Sequence, residues 1–298
     1  MKIALIGLGQ IGSRYDVDLK TSFSHRNSIL RNIKDSEKFY IDKDIAYVNS
    51  IAKKDNARFS SNLDILPKEI DLAIISVPTK YHLNCFLKLI SCRNIKKLIL
   101  EKPVGINYAE SKLINDKSRQ NNLNIYINYM RNTLPETEKI FKYINSNKIK
   151  NFNIEISVSG TLLNNGSHFL ALIKYITRLP LEKFEKENFN SSIKLLKYKN
   201  NSILIKSNLD IKYPSFKLNI YHDKGLIEYD EIRNKWKIFS FEKNSKNTKF
   251  CKLKEEENYR LNLNFAQDYF LKYVLSNFKP YDKKIDVGTA MLIQKLLS

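Results

Sequence analysis

The sequence predicts an α/β protein in two parts: a parallel sheet flanked by helices, then an α+β part with an open-faced, mostly antiparallel sheet. Over the first ~130 residues, short apolar runs alternate with helix-like stretches, the grammar of repeated βαβ units. After about Met130 the apolar residues fall on alternate positions, as in strands with one wet face. No internal repeat and no low-complexity linker intervenes, so the domains are drawn as 1–130 and 131–298 with a shared interface.

The first strand is KIALIG, and KFYID, IDLAIISV, KKLILEK and NIYINYM follow it. Several are almost wholly apolar, as strands covered on both faces are. Between them, YHLNCFLKLI places Leu83, Phe86, Leu87 and Ile90 on one helical face. A second helix spans about Tyr108 to Arg119. The later part opens with the helix-like PETEKIFKYI. FNIEISVSG comes next, where Phe152, Ile154, Ile156 and Val158 alternate with Asn153, Glu155, Ser157 and Ser159. SIKLLKY, SILIKSNLDI, FKLNIY, GLIEYD and KWKIFSF continue the sheet, broken by turn residues such as Asn200, Asn201 and His222 to Gly225. Two helices close the chain, Tyr259 to Leu275 and Val287 to Leu297.

Composition removes several classes. The net charge of +20 allows nucleic acid or acidic small molecules as partners. The lysines are scattered, however, with no basic helix and no arginine patch, so nucleic acid is set aside. No apolar run reaches the ~20 residues of a membrane span, and MKIALIGLGQIG reads as a first strand rather than a signal peptide. Cys85, Cys92 and Cys251 have neither disulfide nor metal spacing, which points to the cytoplasm and to no metal.

The chemistry begins at GLGQIG. Gly7, Gly9 and Gly12 fit G-x-G-x-x-G directly after a strand. Those glycines allow a tight turn, close approach to a pyrophosphate and close helix packing. Gln10 and Ile11 would line the same turn, where a helix N-terminus offers N–H groups to phosphates. An acid about 20 residues on should then meet the ribose. Asp42 follows Phe39, Tyr40 and Ile41 but lies thirty residues after Gly12. The extra length falls in the polar stretch YDVDLKTSFSHRNS. Asp42 favours NAD, with NADP the alternative, since Lys43 adjoins it. An ordinary turn aspartate, or Asp35 in its place, stays open.

Two further loops follow buried strands. In ISVPTKYH, Pro78 and Thr79 would shape a cofactor loop, and Thr79 could instead cap the next helix. His82 would lie near the cofactor or serve structure. In EKPVG, Glu101 and Lys102 end a strand. A lysine at that carboxyl end points into the ligand crevice, where burial lowers its pKa and lets it exchange a proton.

These motifs, with NYMRN (Asn128 to Asn132) and NNGSH, resemble in their order and spacing the Gfo/Idh/MocA oxidoreductases, the glucose-fructose oxidoreductase and inositol dehydrogenase group. The resemblance covers nearly the whole chain, and EKP is its most specific element. It implies a Rossmann domain, NAD(H) or NADP(H), and hydride transfer at a CH–OH carbon of a sugar, sugar acid or nucleotide-linked sugar. Surface-glycan biosynthesis is one setting for such a substrate. It also implies that Lys102 sits by substrate and nicotinamide. The family's D-x-G-x-H-x-x-D motif falls on Asn164, Gly166, His168 and Ala171, so both carboxylates are missing.

The reading that follows gives catalysis to Lys102 and His168. Tyr129, Arg131, Asn164, Asn165 and His168 would bind substrate. Asparagine can hold a hydroxyl but carries no proton. Against this, His168 could be a buried neighbour of a helix cap made by Ser167 or Asn165, and Arg131 a surface residue. A homo-oligomer through the C-terminal sheet is expected. The competing class is a non-catalytic dinucleotide-binding regulator or scaffold of the same fold.

Overall fold

The computed structural model describes residues 1–16, 18–190, 192–211, 213, 215–243, 251–276 and 278–298. The chain divides into two compact units. One is Met1–Thr133 with Leu263–Gln294, and the other is Leu134–Asn262 with Lys295–Ser298.

In the first unit the chain forms β1 (Lys2–Ile6), α1 (His25–Asn32), β2 (Glu37–Ile41), α2 (Ile45–Asp55), β3 (Arg58–Ser60), β4 (Glu69–Ile75), α3 (His82–Cys92), β5 (Asn94–Leu100), α4 (Tyr108–Gln120) and β6 (Asn124–Ile127). Every sheet pairing is parallel, in the order β3-β2-β1-β4-β5-β6, which is the doubly wound Rossmann order. The apolar runs are buried as their composition requires: Ile3 to Ile6, Leu72 to Ile75 and Leu98 to Leu100 lie in the core. Side chains cap the helices. Asp44 accepts from Tyr47 N, and Asn107 accepts from Glu110 N.

The glycine turn does not run on into a long helix. Gln10–Arg14 make one π turn, and the chain then loops before α1. Asp16 closes that loop from its centre. Its carboxylate accepts from Thr21 Oγ1 at 2.5 Å, Phe23 N at 3.0 Å and Ser24 N at 2.7 Å. Ser24 then caps α1, so the polar stretch read as extra length is part loop and part helix.

The second unit holds α5 (Pro135–Ser146), β7 (Asn153–Ser159), α6 (Ser167–Thr177), β8 (Glu185–Asn190), β9 (Ile193–Tyr198), β10 (Asn201–Asn208), β11 (Phe216–His222), β12 (Gly225–Asp230), β13 (Lys235–Lys243) and β14 (Cys251–Arg260). Its sheet runs β14-β13-β12-β11-β7-β10-β9-β8 and is antiparallel except at β7 with β10. The alternation read in FNIEISVSG is present: Ile154, Ile156 and Val158 are buried, while Asn153, Glu155 and Ser157 are exposed. On the inner face Phe169 of α6 meets Tyr229 edge-on at 5.5 Å, and Tyr229 meets Trp236 at 4.8 Å.

The end of the chain differs from its reading. Tyr259 to Arg260 finish β14, and the helix α7 spans only Ala266–Leu275, followed by α8 (Val287–Leu297). Residues 263–294 also return to the first unit, where the sequence reading continued the second domain. Packing explains the return. Arg31 of α1 pairs with Asp268 at 3.0 Å, and Ser28 Oγ donates to Gln267 O at 3.0 Å. Lys97 of β5 donates to Val274 O and Ser276 O, closing the carboxyl end of α7. Beside β6, Ile127 N bonds Ile285 O at 2.7 Å. Among the described residues no helix is long and apolar enough to cross a membrane. Cys85 and Cys92 are free, and the Cys251 side chain lies outside the described residues.

A second network joins α1, α2 and β2. Arg26 makes two bonds of 2.6 Å to Asp55, and Tyr40 OH donates to the same carboxylate at 2.8 Å. Replacing Asp55 with Ala strands a guanidinium with little solvent, so we expect a loss of about 3 kcal/mol in chemical denaturation. Tyr40→Phe, which leaves the ion pair in place, should cost about 1 kcal/mol.

Candidate active site

The parallel sheet reverses its strand order between β1 and β4, where such a sheet leaves a crevice at its carboxyl edge. Gly7 leaves β1 with φ +92°, and a Cβ on it would lie 2.6 Å from the Ser76 carbonyl carbon. A Cβ on Gly12 would collide with Gly7 O, to which Ser76 Oγ donates at 2.7 Å. These two glycines are demanded by internal packing. Gly9 is different. Its φ is −70°, and a Cβ there would meet nothing within 4 Å. That open space is what close approach of a pyrophosphate needs. Gln10 and Ile11 lead the π turn, whose first N–H groups lack partners within the turn itself. The loop therefore fits a dinucleotide phosphate.

Asp42 stands at the carboxyl end of β2. Its Oδ2 accepts from Leu8 N at 2.5 Å, and its Oδ1 from Asp44 N at 2.9 Å. The acid is thus tied to the glycine loop despite its long spacing, because the intervening insertion folds away behind Asp16. Asp35 precedes β2, at the opposite end of the strand, so it does not compete. Cations surround Asp42's loop: Arg14 pairs with Asp44 at 2.6 Å and stacks on Tyr47, and Lys43 lies 5.1 Å from the Tyr81 ring centre.

After β4, Pro78 leads a 3-10 turn of Thr79–Tyr81 into α3. Thr79 makes no cap bond, since Tyr81 occupies the cap position of α3. His82 is buried, with Nε2 2.8 Å from Val77 O and Nδ1 3.0 Å from Pro103 O and 3.2 Å from Val104 O. Both ring nitrogens are taken up by backbone, so His82 braces the loop after β4 against the loop after β5. It does not present a ring nitrogen to a cofactor. Burial holds it below the usual histidine range, although Val77 O and Glu101 work the other way.

Glu101 and Lys102 follow β5. Glu101 is buried, and its Oε1 accepts from His25 Nε2 at 2.8 Å and from Asn128 Nδ2 at 2.5 Å. Burial alone would push this carboxyl up, but His25, Asn128 and Lys102 together hold it below its ordinary value. Burial pushes Lys102 down, Glu101 opposes that, and Arg131 adds to it. Lys102 is thus a half-buried amine that gives up its proton more easily than a surface lysine. Arg131 lies in the 3-10 turn after β6 and is buried, which removes the surface alternative. Tyr129 is buried in the same segment.

In the second unit, Thr161 caps a π turn of Leu162–Gly166 by accepting from Asn164 N at 3.2 Å, and α6 follows without a break. The cap is Thr161 and neither Ser167 nor Asn165, because the π turn carries the helical path through both. Asn165 Nδ2 donates to Ser159 O at 2.6 Å and so braces its own turn, beneath Gly160 at φ +76°. Asn164 is exposed. His168 is buried at the start of α6, and Ala171 of the same helix is fully buried, where a carboxylate would need a partner.

Sequence reasoning missed His25 and Asn128 as partners of Glu101. Asn128 stood within a quoted motif, but its side chain gave no sign of its target. His25 lies 76 positions from Glu101, inside the polar stretch read only as extra length.

Residues 1–129 match the model of an oxidoreductase family with an NAD-binding Rossmann fold, Gfo/Idh/MocA. Over this segment the chain is similar to the Gfo/Idh/MocA oxidoreductases. Its cofactor class is the nicotinamide dinucleotide that the glycine loop fits. Solved structures share the fold over the whole chain. A dehydrogenase (MviM) from Clostridium difficile is 17% identical, covering 100% of this chain and 97% of that one, with a TM-score of 0.72. UDP-N-acetylglucosamine 3-dehydrogenase GnnA from Acidithiobacillus ferrooxidans is 13% identical, covering 100% and 95%, at 0.70. A super-repressor mutant of Gal80p from Saccharomyces cerevisiae is 13% identical, covering 100% and 94%, at 0.74. No curated protein sequence matches the chain. In this Gfo/Idh/MocA-like domain Gly9→Ala should fold with stability within roughly 0.5 kcal/mol of wild type. Its methyl group occupies the phosphate approach, so NADH affinity measured by calorimetry should fall about tenfold or more.

Proposed function

We propose that the protein is an NAD(P)-dependent dehydrogenase or reductase acting on a CH–OH group of a sugar, sugar acid or nucleotide-linked sugar. Lys102 carries the reading: a lysine made easier to deprotonate by burial, at the carboxyl end of β5 in a dinucleotide-binding sheet. The dinucleotide, when bound, supplies or accepts the hydride. Gly9, Gln10, Ile11 and Gly12 hold its pyrophosphate, with Pro78 and Thr79 on the neighbouring loop. Asp42 takes the ribose hydroxyls and so favours NAD over NADP.

Lys102 bonds the substrate oxygen and exchanges its proton. Arg131, a second buried cation of the same unit, suits a phosphate or carboxylate on the substrate. GnnA acts on a nucleotide sugar, which supports that substrate class here. His168 is the second proton-handling group, Asn164 holds a hydroxyl, and Tyr129 lies on the substrate side. Asn165 contributes through its turn. A homo-oligomer contact belongs on the outer face of the second sheet, where the cross-strand neighbours Phe241 and Leu253 are exposed with Tyr221. Sedimentation as a monomer at all concentrations would remove that contact.

The alternative is a dinucleotide-binding regulator, favoured by Asn164 and Ala171 where the family pattern has carboxylates and by the likeness to Gal80p. Purified protein that carries NAD(H) but turns over none of a panel of nucleotide sugars would select it.

Lys102→Ala should lower kcat by roughly 10²–10⁴-fold while cofactor affinity stays within a few-fold. The pH dependence has a definite sign. Oxidation needs the neutral amine, so its rate rises with pH through the lowered Lys102 pKa. Reduction needs the ammonium, so its rate falls through the same range, and paired pH–rate profiles check both limbs. Asp42→Ala should weaken NADH binding and narrow its advantage over NADPH in competitive titrations.

A further inference from the structure

We propose that His25 is a positioning residue for Lys102: together with Asn128 it fixes the buried Glu101 carboxylate next to the lysine. The inference rests on the reading of Lys102 as the proton-handling group.

Three observations support it. The His25–Glu101 contact is 2.8 Å with both residues buried, so it is not a solvated surface pair. A carboxylate can only accept, so His25 Nε2 must carry the hydrogen, which fixes the ring's role as donor. The two partners reach Glu101 from different elements: His25 opens α1, and Asn128 follows β6. A buried carboxylate with two donors stays ionised, and removing one raises the cost of its charge.

The insertion explains how His25 gets there. The Asp16 knot and the Ser24 cap set where α1 begins. Ser22 N bonds Asn264 O, and Gln267 N bonds Ser22 O, which fastens the loop to the segment leading into α7. The first helical residue then faces the EKP loop.

Charged groups from neighbouring elements act on Lys102 and Glu101. Glu101 raises the affinity of Lys102 for its proton, and Arg131 lowers it. His82 of α3 also feels the charge of Glu101. Of these, Glu101 is the anion that supports the ammonium form. Without His25, that anion loses a donor, and Lys102 spends more time as the neutral amine.

Competitive acylation of the full-length protein without substrate, read by peptide mass mapping, measures the neutral fraction of Lys102 directly. In His25→Ala at near-neutral pH, Lys102 should acylate faster, on the order of fivefold. His25→Gln keeps a donor amide and should stay close to wild type. Glu101→Gln, which removes the anion outright, should acylate at least as fast as His25→Ala, and the double variant should add nothing to Glu101→Gln, since both act through one carboxylate. If Ala at position 25 prevents folding, His25→Asn, whose amide is too short to reach Glu101, takes its place. Acylation of Lys102 within twofold of wild type in a folded variant, slower acylation, or additive effects in the double variant would each overturn the proposal. If acylation changes as stated but no sugar is ever turned over, the positioning stands and the dehydrogenase reading fails.

Discussion

Gly7, Gly12 and Ser76 meet with no room for a side chain between them. Ser76 Oγ bonds Gly7 O at 2.7 Å, and Gly12 packs on that same carbonyl. This contact joins the ends of β1 and β4 where the parallel sheet changes direction, and most of the first unit's chemistry hangs from it. It holds the glycine turn close enough for Leu8 N to reach Asp42. It also sets the loop after β4, which His82 then braces against the loop after β5. Loosening the three-way contact would shift the glycine turn, Asp42 and the Lys102 loop together.

Charge is arranged around that scaffold with economy. Glu101 is buried at a place where an ion is costly, and it is kept charged by two donors and a neighbouring lysine. Lys102 is tuned in the opposite sense by burial and by Arg131. In the second unit the corresponding stretch has His168 as its one titratable side chain: Asn164 is exposed, Asn165 braces a turn, and Ala171 is fully buried. Two sequence changes that look like losses are locally well accommodated by the fold.

Much of this was legible from residues alone, for identifiable reasons. Five of the six parallel strands announced themselves as apolar runs because both faces are covered, while the three-residue β3 did not, and FNIEISVSG announced one wet face by strict alternation. The glycine turn and the EKP loop were legible because each is a local pattern directly after a strand, and Asp42 because it ends the short strand of Phe39 to Ile41 despite its long spacing. What escaped depends on distant contacts. β14 was unread, and its last residues were taken into a helix, because CKLKEEENYR has the composition of a helix surface. It is a strand because β13 pairs with it, and its charges suit an edge, where they discourage further pairing. α1 was hidden by a polar insertion whose organiser, Asp16, works through side-chain bonds that no periodicity reveals. His25 and Asn128 converge on Glu101 from sequence positions that share no motif.

The return of residues 263–294 to the first unit has a consequence for how the chain is made. Synthesis releases β1 to β6 early, yet α1 lacks Gln267 and Asp268, and the edge at β6 lacks Ile285, until almost the whole chain has emerged. The intervening sheet unit, by contrast, is continuous from Leu134 to Asn262 apart from its last four residues at the terminus. Contacts spanning more than 200 positions are slow to form. The nascent dinucleotide domain therefore waits with an unfinished edge and an uncovered helix while a later part of the chain can already fold.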